Sequence, residues 1–401
     1  MGDTFADCAL VLGGQAITTL GVCRNLGVNN VNVFCVNNYL NEAAFSRFCK
    51  SFFVVPNIEN SYNVLDLFLR KFRKPKSRTV IFPASDLFCL ALAKMNVDLR
   101  DDYVYPPSKE SVETLVDKKL FAKSLVGTDI PRPKTILLDK PVESETIAEK
   151  LGFPILIKPE ITQEFARFNV KSFVAQNKSE LENYIETVSE LGISVIIQEI
   201  ICGPDTNLFG IAGYIGKDNQ VKGIFAYRRI RGWPLDFGCN SMIESIPIQF
   251  VAESKDYVVN YLRSIRYCGL FEAEFKTDER DGVPKILEIN ARSWWQNHFP
   301  TVCGINLVLM SFLDAVGKEI EYEDTYKIGL KWVHSFNDTR AAMTLFQRSQ
   351  LSLSNWISSY KDVRDYSYFC ANDVLPLLCN PFFVGPVYAK ELLRKLRKIW
   401  Q

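Results

Sequence analysis

Residues 270–293 read LFEAEFKTDERDGVPKILEINARS, two apolar segments joined by a short, turn-rich link. Side chains along a β-strand alternate between its two faces, so Glu272 and Glu274 lie on one face of the first segment. Glu288 and Asn290 share a face of the second segment by the same period. The link predicts a hairpin, which would bring the carboxylates and the amide oxygen together.

The residue types in this predicted hairpin favour a magnesium site that carries ATP phosphates. Carboxylate and amide oxygens are hard ligands of the kind that Mg²⁺ prefers, and bound magnesium offsets the charge that develops on phosphoryl transfer. Arg292 continues the polar face of the second segment. The alternative is a solvated sheet face on which the acids pair across the strands with Lys276 or Lys285.

Two lysines are candidates for binding phosphate. Lys118 follows Asp117 at the start of a predicted helix, and Lys158 ends the apolar strand in GFPILIKP. An ammonium group at the end of a buried strand, beside a proline, is well placed to meet a phosphate as a point charge. A solvated strand end is the alternative for Lys158.

Three arginines lie together in YRRIRGWP, at 227–234. On a regular strand Arg229 and Arg231 share one face, and Arg228 lies on the other. Two neighbouring guanidinium groups can grip a carboxylate or a phosphate through paired hydrogen bonds. An edge strand kept soluble by its charges is the alternative.

The N-terminal region predicts a doubly wound parallel sheet. The apolar run CALVLGG at 8–14 precedes a helix-compatible stretch at 16–25, and a second strand follows at 30–37. A further buried strand, TVIFPASD at 79–86, ends in polar residues, where sheets of this kind bind ligands. The glycines lack the GxGxxG spacing, so we expect helix–strand packing there, with an oxidoreductase dinucleotide site as the alternative.

The chain divides into three predicted regions. Pro106 and Pro107 interrupt the first pattern, so we place an N-terminal domain at 1–107. Strands with interleaved helices dominate 108–310 and predict an α+β domain with antiparallel sheets. Residues 311–401 read as a helical, aromatic extension. The predicted fold class is therefore α/β followed by α+β.

Composition excludes several classes of function. The 401 residues carry a formal net charge of +1, so no global field favours nucleic acid. Only His298 and His334 are available for histidine chemistry. The first residues lack the features of a signal peptide, which favours a cytoplasmic protein.

Eleven cysteines are scattered along the chain, and none belongs to a CxxC pair. Cysteines in this pattern, without an export signal, usually stay reduced and pack as small hydrophobic side chains. We therefore expect neither a disulfide framework nor a thiol metal site.

Five segments, taken in order, resemble the ATP-grasp superfamily: DKKLFAKSLVGTDIPRPKT, GFPILIKP, VIIQEIICGPD, FEAEFKTDERDG and LEINARSWW. Within the superfamily the resemblance is to the branch of carbamoyl-phosphate synthase large subunits and carboxylate–amine ligases. It implies a pre-ATP-grasp domain followed by a two-lobed ATP-grasp fold, with a lid lobe at about 136–200 and a catalytic lobe at about 201–310.

The resemblance also implies roles for particular residues. It assigns the nucleotide to Lys118, Lys158, Gln198, Glu199, Ile200, Ile201 and Asp205, the metal to Glu274, Glu288 and Asn290, and catalysis to Arg292, Arg229 and Arg231. In this scheme the lysines hold phosphates, and the segment from Gln198 to Ile201 is a hinge whose backbone reads adenine. Asp205 binds the ribose, and Glu272 is a possible substitute metal ligand.

One segment departs from the family pattern. The family usually has a glycine-rich loop after the Lys-Pro strand, whereas ITQEFARFNVKS at 161–172 contains no glycine. Phosphate binding by backbone N–H groups is therefore in doubt, and Arg167 or Lys171 are the candidate substitutes. This departure keeps open a non-catalytic nucleotide-binding homologue that acts as a sensor or scaffold.

The expected activity is that of an ADP-forming ligase that activates a small-molecule carboxylate as an acyl phosphate and joins it to an amine or related nucleophile. ATP and Mg²⁺ are the expected cofactors, with Mn²⁺ as an alternative ion.

Trp294, Trp295 and His298 are candidates for an acceptor pocket, with packing in the lobe interior as the alternative for the tryptophans. The basic segment 388–401 predicts a docked terminal helix or, as the alternative, contact with a membrane surface. A homodimer stays open.

Overall fold

A five-stranded parallel sheet forms the N-terminal part of the computed structural model, which describes residues 7–72, 77–95, 102–138, 143–168 and 170–381. In the spatial order β3-β2-β1-β4-β5, the strands are β1 Cys8–Leu12, β2 Asn32–Asn37, β3 Cys49–Val54, β4 Thr79–Pro83 and β5 Tyr103–Val104. The helices are α1 Ala16–Gly27, α2 Tyr62–Phe72 and α3 Asp86–Met95. Every neighbouring pair is parallel, as predicted.

Helices cover both faces of this sheet. Ala9 and Val11 of β1 join the core that α1 completes, whereas Leu10 and Leu12 join a second core with α2 and α3. Strands buried on both sides are continuous apolar runs, which is why CALVL shows no polar alternation. The doubly wound prediction is confirmed.

Two short helices connect this sheet to the rest of the chain. They are α4 Lys109–Val116 and α5 Lys118–Ser124. Ser108 caps α4 by accepting the N–H of Ser111, and Asp117 caps α5 by accepting the N–H groups of Lys119 and Leu120. The cap on α5 fixes the start of the helix, and so the position of Lys118.

A small antiparallel sheet follows, in the order β6-β9-β7-β8. Its elements are β6 Thr135–Leu137, α6 Ser144–Leu151, β7 Ile155–Pro159, β8 Phe173–Ala175, α7 Lys178–Glu190 and β9 Val195–Glu199. Ile155 and Ile157 of β7 point into a core with α6 and α7, so Lys158 faces the opposite side of the sheet.

The third sheet has seven strands in the order β14-β13-β10-β11-β12-β15-β16. Its first part comprises β10 Leu208–Ile215, β11 Val221–Trp233, β12 Cys239–Ser245, α8 Ala252–Ser264, β13 Gly269–Thr277 and β14 Pro284–Asn290. These strands pair antiparallel, and β13 and β14 form the predicted hairpin.

The C-terminal region contains more than the predicted helices. Its elements are α9 Phe299–Cys303, α10 Leu307–Ala315, β15 Lys331–Val333, α11 Ser335–Gln347, α12 Leu353–Ser359 and β16 Val363–Tyr366. The two strands extend the third sheet beyond β12, so the helical description of 311–401 was incomplete. Strands of three and four residues are too short for their periodicity to be recognised in the sequence.

The predicted limits at 107 and 310 stay predictions, and segment 388–401 lies outside the described residues. Within the described part of the chain, no helix combines the length and the apolar character that crossing a membrane requires.

Candidate active site

A cleft of about 1290 Å³ lies where the three sheets meet. The carboxyl ends of the parallel strands form one wall, as expected for a doubly wound sheet. The small sheet forms the second wall, and β13 and β14 form the third. Its volume exceeds the roughly 300–1,000 Å³ of most ligand pockets.

The hairpin places its acidic side chains together on the cleft wall. Glu272 lies opposite Asn290, and Glu274 lies opposite Glu288, in the register of β13 and β14. All four residues line the cleft. The alternative of acids paired with lysines is wrong for this sheet face, because Lys285 instead binds Asp278 at 2.6 Å.

Burial and the repulsion between neighbouring carboxylates raise the pKa values of Glu272 and Glu274. Burial, together with the charge of Glu274, raises the pKa of Glu272 to about 8. Tyr227 and Asn290 donate hydrogen bonds to the Glu272 carboxylate, the latter at 2.7 Å. Burial and Glu288 likewise raise the pKa of Glu274. Two neighbouring carboxyl groups with raised pKa values fit a divalent cation, which would relieve the repulsion.

Lysine side chains lie on the other walls. The Nζ of Lys158 donates to Gln198 Oε1 at 2.9 Å, and the Nζ of Lys118 donates to Thr162 Oγ1 at 2.6 Å. Burial lowers the pKa of Lys158 to about 8, although Glu288 acts in the opposite direction. Both lysines line the cleft, so the structure brings together the predicted cations and the predicted acids.

The glycine-free segment is folded differently from an open glycine loop. Residues Thr162–Phe168 form a 3₁₀ helix that is anchored by the fully buried Phe165. Lys171 lines the cleft, and its Nζ donates to Cys239 Sγ at 3.0 Å. Burial alone would lower the pKa of Lys171, but Cys239 and the acids of the hairpin raise it above its ordinary value. Of the two candidate substitutes, Lys171 faces the cleft, whereas Arg167 is outside the set of residues that line it.

The predicted hinge forms part of the cleft wall between the small sheet and the seven-stranded sheet. Gln198, Glu199, Ile200 and Ile201 all line the cleft. The Glu199 carboxylate accepts the N–H of Lys134 at 2.8 Å, so this side chain holds the hinge in place.

The structure does not bring Asp205 into the cleft lining. Its Oδ1 lies 3.7 Å from Arg229 Nη1, and neither carboxylate oxygen has a hydrogen-bond partner among the described residues. Burial raises the pKa of Asp205, although Arg229 opposes the shift.

The predicted arginine pair separates. A β-bulge between Arg229 and Arg231 shifts the pairing with β12, so the period-two argument fails across it. Arg229 lines the cleft and donates to Asn240 Oδ1 at 2.5 Å. Arg231 binds the buried Asp338 through Nε at 2.7 Å and Nη2 at 3.0 Å. The prediction that Arg231 faces a substrate was therefore wrong.

Arg292 lines the cleft and has a partner that the sequence analysis missed. Its Nε donates to Asp86 Oδ1 at 2.6 Å, across the junction between the seven-stranded sheet and the parallel sheet. Burial alone would raise the pKa of Asp86, but Arg292 holds it below its ordinary value. The position of Asp86, three residues after the end of the strand TVIFP, was the available signal.

The predicted acceptor pocket is partly assembled. Trp294 and Trp295 line the cleft, whereas His298 does not. The Nδ1 of His298 lies 3.3 Å from Asp365 Oδ1. Trp294 is also 2% exposed, so it packs in the core as well. The parallel sheet contributes further residues that the sequence analysis did not select, which are Gln15, Thr18, Asn37, Tyr39 and Glu59.

Comparisons with known proteins agree with this architecture. A D-aspartate ligase from Enterococcus faecium (strain Aus0004) is 22% identical over an alignment of 287 positions, and the match covers 68% of this chain and 68% of that one. A carbamoyl phosphate synthase large chain from Methanothrix thermoacetophila is 22% identical over 200 residues, 46% of this chain and 17% of that one. No family model matches the chain.

Among solved structures, the N5-carboxyaminoimidazole synthetase from Staphylococcus aureus, determined with ADP, has a TM-score of 0.62 at 14% identity. The match covers 80% of this chain and 80% of that one. The comparisons confirm the resemblance to ATP-grasp ligases and the fold class predicted from the sequence.

Proposed function

We propose that this chain, which has the fold of the ATP-grasp ligases, is an ADP-forming carboxylate–amine ligase. One observation carries the proposal. Four side chains of metal-binding types on the hairpin, three glutamates and one asparagine, face two lysines of other elements across a single cleft. Carboxylates on one side and ammonium groups on the other suit a magnesium–nucleotide complex, which presents a cation to the first and anionic phosphates to the second.

The residues present fit the ions that such a nucleotide carries. Glu274, Glu288 and Asn290 would hold them, and Glu272 is close enough to share in the task. Bound Mg²⁺ supplies Lewis-acid polarisation of phosphate oxygens and offsets their charge. Mn²⁺ offers the same preference for hard ligands and stands as an alternative ion.

The nucleotide would lie between the small sheet and the seven-stranded sheet. Lys158 and Lys118 would bind its phosphates as point charges, with Lys171 in the place of backbone donors from a glycine loop. The adenine would lie against the hinge at Ile200 and Ile201, whose side chains line the same wall.

The proposed reaction is the two-step one that the resemblance to ATP-grasp ligases implies. An oxygen of the substrate carboxylate attacks the γ-phosphorus, the bond to the β-phosphate oxygen breaks, and ADP leaves. The amine nitrogen then attacks the acyl carbon, phosphate leaves and the nitrogen loses a proton, which yields an amide. Arg292, held by Asp86, would orient the acyl phosphate, and Arg229 would bind the substrate carboxylate.

The wall made by the parallel sheet would bind the acceptor amine. Asn37, Tyr39 and Glu59 face this part of the cleft, and a carboxylate suits an amine that binds as the cation and gives up one proton before its nitrogen attacks. The substrates are thus a small-molecule carboxylate and an amine or similar nucleophile. We place the reaction in the cytoplasm.

Release of ADP and phosphate, measured across pairs of carboxylic acids and amines, tests the proposal. Glu288→Gln keeps the shape of the side chain but removes a charge from the cluster, and we expect turnover to fall at least about a hundredfold. Glu186→Gln, on an exposed position of α7, is the matched control and should leave turnover unchanged. Normal turnover in Glu288→Gln would contradict the assignment.

The folded, glycine-free segment favours one second candidate, a nucleotide-binding homologue that acts as sensor or scaffold. Such a protein would bind Mg-ATP without releasing ADP for any pair of substrates. Calorimetric titration with Mg-ATP, run beside the turnover assay, distinguishes the two candidates.

A further inference from the structure

Three cysteines that are distant in the sequence meet in the core of the N-terminal region. Cys23 belongs to α1, Cys35 to β2 and Cys49 to β3. Their sulfur atoms all lie within 4.8 Å of one another, and those of Cys23 and Cys35 are 3.4 Å apart. Among the described residues, no other group of histidine, cysteine or acidic side chains has this geometry.

The spacing matches a site for one metal ion. Three sulfurs that each lie about 2.3 Å from one ion are separated from each other by about 3.8–4.0 Å. The separation of 3.4 Å between Cys23 and Cys35, and the limit of 4.8 Å for all three pairs, are close to this value, so small rotations of the side chains would complete the coordination. The three cysteines come from a helix and two paired strands, elements that the sheet and its core hold in fixed positions.

The donor set selects the chemical class of the ion. Thiolates are soft ligands and favour Cu⁺, Zn²⁺ or iron–sulfur clusters over hard cations. Structural zinc is almost always four-coordinate, and no fourth donor residue belongs to the group. Three soft donors suit an ion that accepts coordination number three, as Cu⁺ does.

We propose that Cys23, Cys35 and Cys49 form a binding site for a soft d¹⁰ cation, with Cu⁺ in trigonal thiolate coordination as the ligand. Cys23 and Cys35 are fully buried, while Cys49 is half-buried and gives the ion a route into the site. Binding releases the protons of the thiols to solvent, and the charge of the ion offsets part of the charge of the thiolates.

The site is separate from the cleft but connected to its wall. None of the three cysteines lines the cleft. Two nearby residues do line the cleft. Asn37 lies two residues after Cys35 in the same strand, and Thr18 lies five residues before Cys23 in the same helix. A bound ion would therefore tie together the elements that carry the proposed acceptor wall without taking part in the reaction.

Anaerobic titration of the full-length reduced protein with Cu⁺, in competition with a chromophoric chelator, tests the proposal. We expect one equivalent to bind, with a thiolate-to-copper charge-transfer band in the near ultraviolet. Cys49→Ser should weaken binding at least a hundredfold. Cys379→Ser, the same change at a cysteine outside the cluster, should bind as the wild type does.

Equal Cu⁺ binding by the two variants, or none by the wild type, would overturn the site. A parallel Zn²⁺ titration that shows tighter zinc than copper binding, lost in Cys49→Ser, would overturn the choice of ion. A second measurement needs no substitution, because Cu⁺ should protect Cys49 from alkylation in the wild type. Peptide mapping that finds Cys23 and Cys35 joined by a disulfide in protein purified without oxygen would also contradict the proposal.

Discussion

Replacing Asp338 by asparagine tests whether Arg231 stabilises the fold or acts in the cleft. Asp338 is fully buried, and its two carboxylate oxygens accept hydrogen bonds from Nε and Nη2 of Arg231. It also accepts Trp356 Nε1–H at 2.9 Å and the hydroxyl of Tyr360 at 3.0 Å. One carboxylate therefore joins β11 to α11, α12 and the residue that follows α12.

The magnitude follows from what Asp338→Asn leaves behind. The amide oxygen of the variant can still accept a hydrogen bond from Trp356 or Tyr360, but the charge of Arg231 stays buried without a counter-ion. Removing one partner of a buried ion pair costs about 3–5 kcal/mol, so we expect the free energy of unfolding to fall by about 4 kcal/mol. This is a large share of the 5–15 kcal/mol that is typical of a folded protein.

Urea unfolding followed by tryptophan fluorescence measures the change in the free energy of unfolding. Asp256→Asn, which alters an exposed ion pair, is the control and should change it by less than about 0.5 kcal/mol. The double variant Arg231→Met/Asp338→Leu removes both charges and should recover most of the loss. A loss below about 1 kcal/mol for Asp338→Asn, or an Arg231→Met variant of normal stability without turnover, would refute the structural role.

Three further predictions concern the cleft. The pKa of Lys158 is lowered to about 8, so the side chain is a cation below that pH and is neutral above it. The affinity for metal-free ADP, measured by calorimetry, should therefore fall by up to about tenfold per pH unit above pH 8. Lys158→Arg, whose side chain stays charged, should show no such fall. Tyr227→Phe removes a donor to the Glu272 carboxylate and should raise the Mg²⁺ concentration for half-maximal turnover about tenfold, measured by metal titration. Phe165→Ala removes the buried anchor of the 3₁₀ segment, and should destabilise the protein by about 4 kcal/mol in urea unfolding and weaken Mg-ATP binding in calorimetry.

The parts of the fold and site that could be predicted depend on local regularity. Counting by twos placed Glu272 with Glu274 on one face of β13, and Glu288 with Asn290 on one face of β14. The pairing of the two strands shifts register only beyond Glu274, so these side chains meet as predicted. Lys158 lies on a strand whose other face is buried, and this fixes the direction of its side chain. Where the strand is regular and one face is buried, the sequence determines which side chains reach the cleft.

The parts that could not be predicted depend on distant residues or on broken periodicity. Arg231 was misplaced because a bulge interrupts β11, and its partner Asp338 lies more than a hundred positions later in the chain. Arg292 and Asp86 meet across 206 positions, with no local pattern that links them. The cluster of Cys23, Cys35 and Cys49 likewise depends on the packing of α1 against the sheet.

The pKa of Glu272 is raised and the pKa of Lys158 is lowered, and these opposite shifts show why the cleft suits a ligand that carries both a positive and a negative charge. Burial raises the pKa of Glu272 and lowers that of Lys158, so each group is moved towards its neutral form near pH 8. A direct ion pair between acid and lysine would move both values the other way. Lys158 instead donates to the neutral amide of Gln198. Because Lys158 is bonded to an amide and not to an acid, the metal–phosphate complex that we propose would supply a cation to the acids and an anion to the lysine.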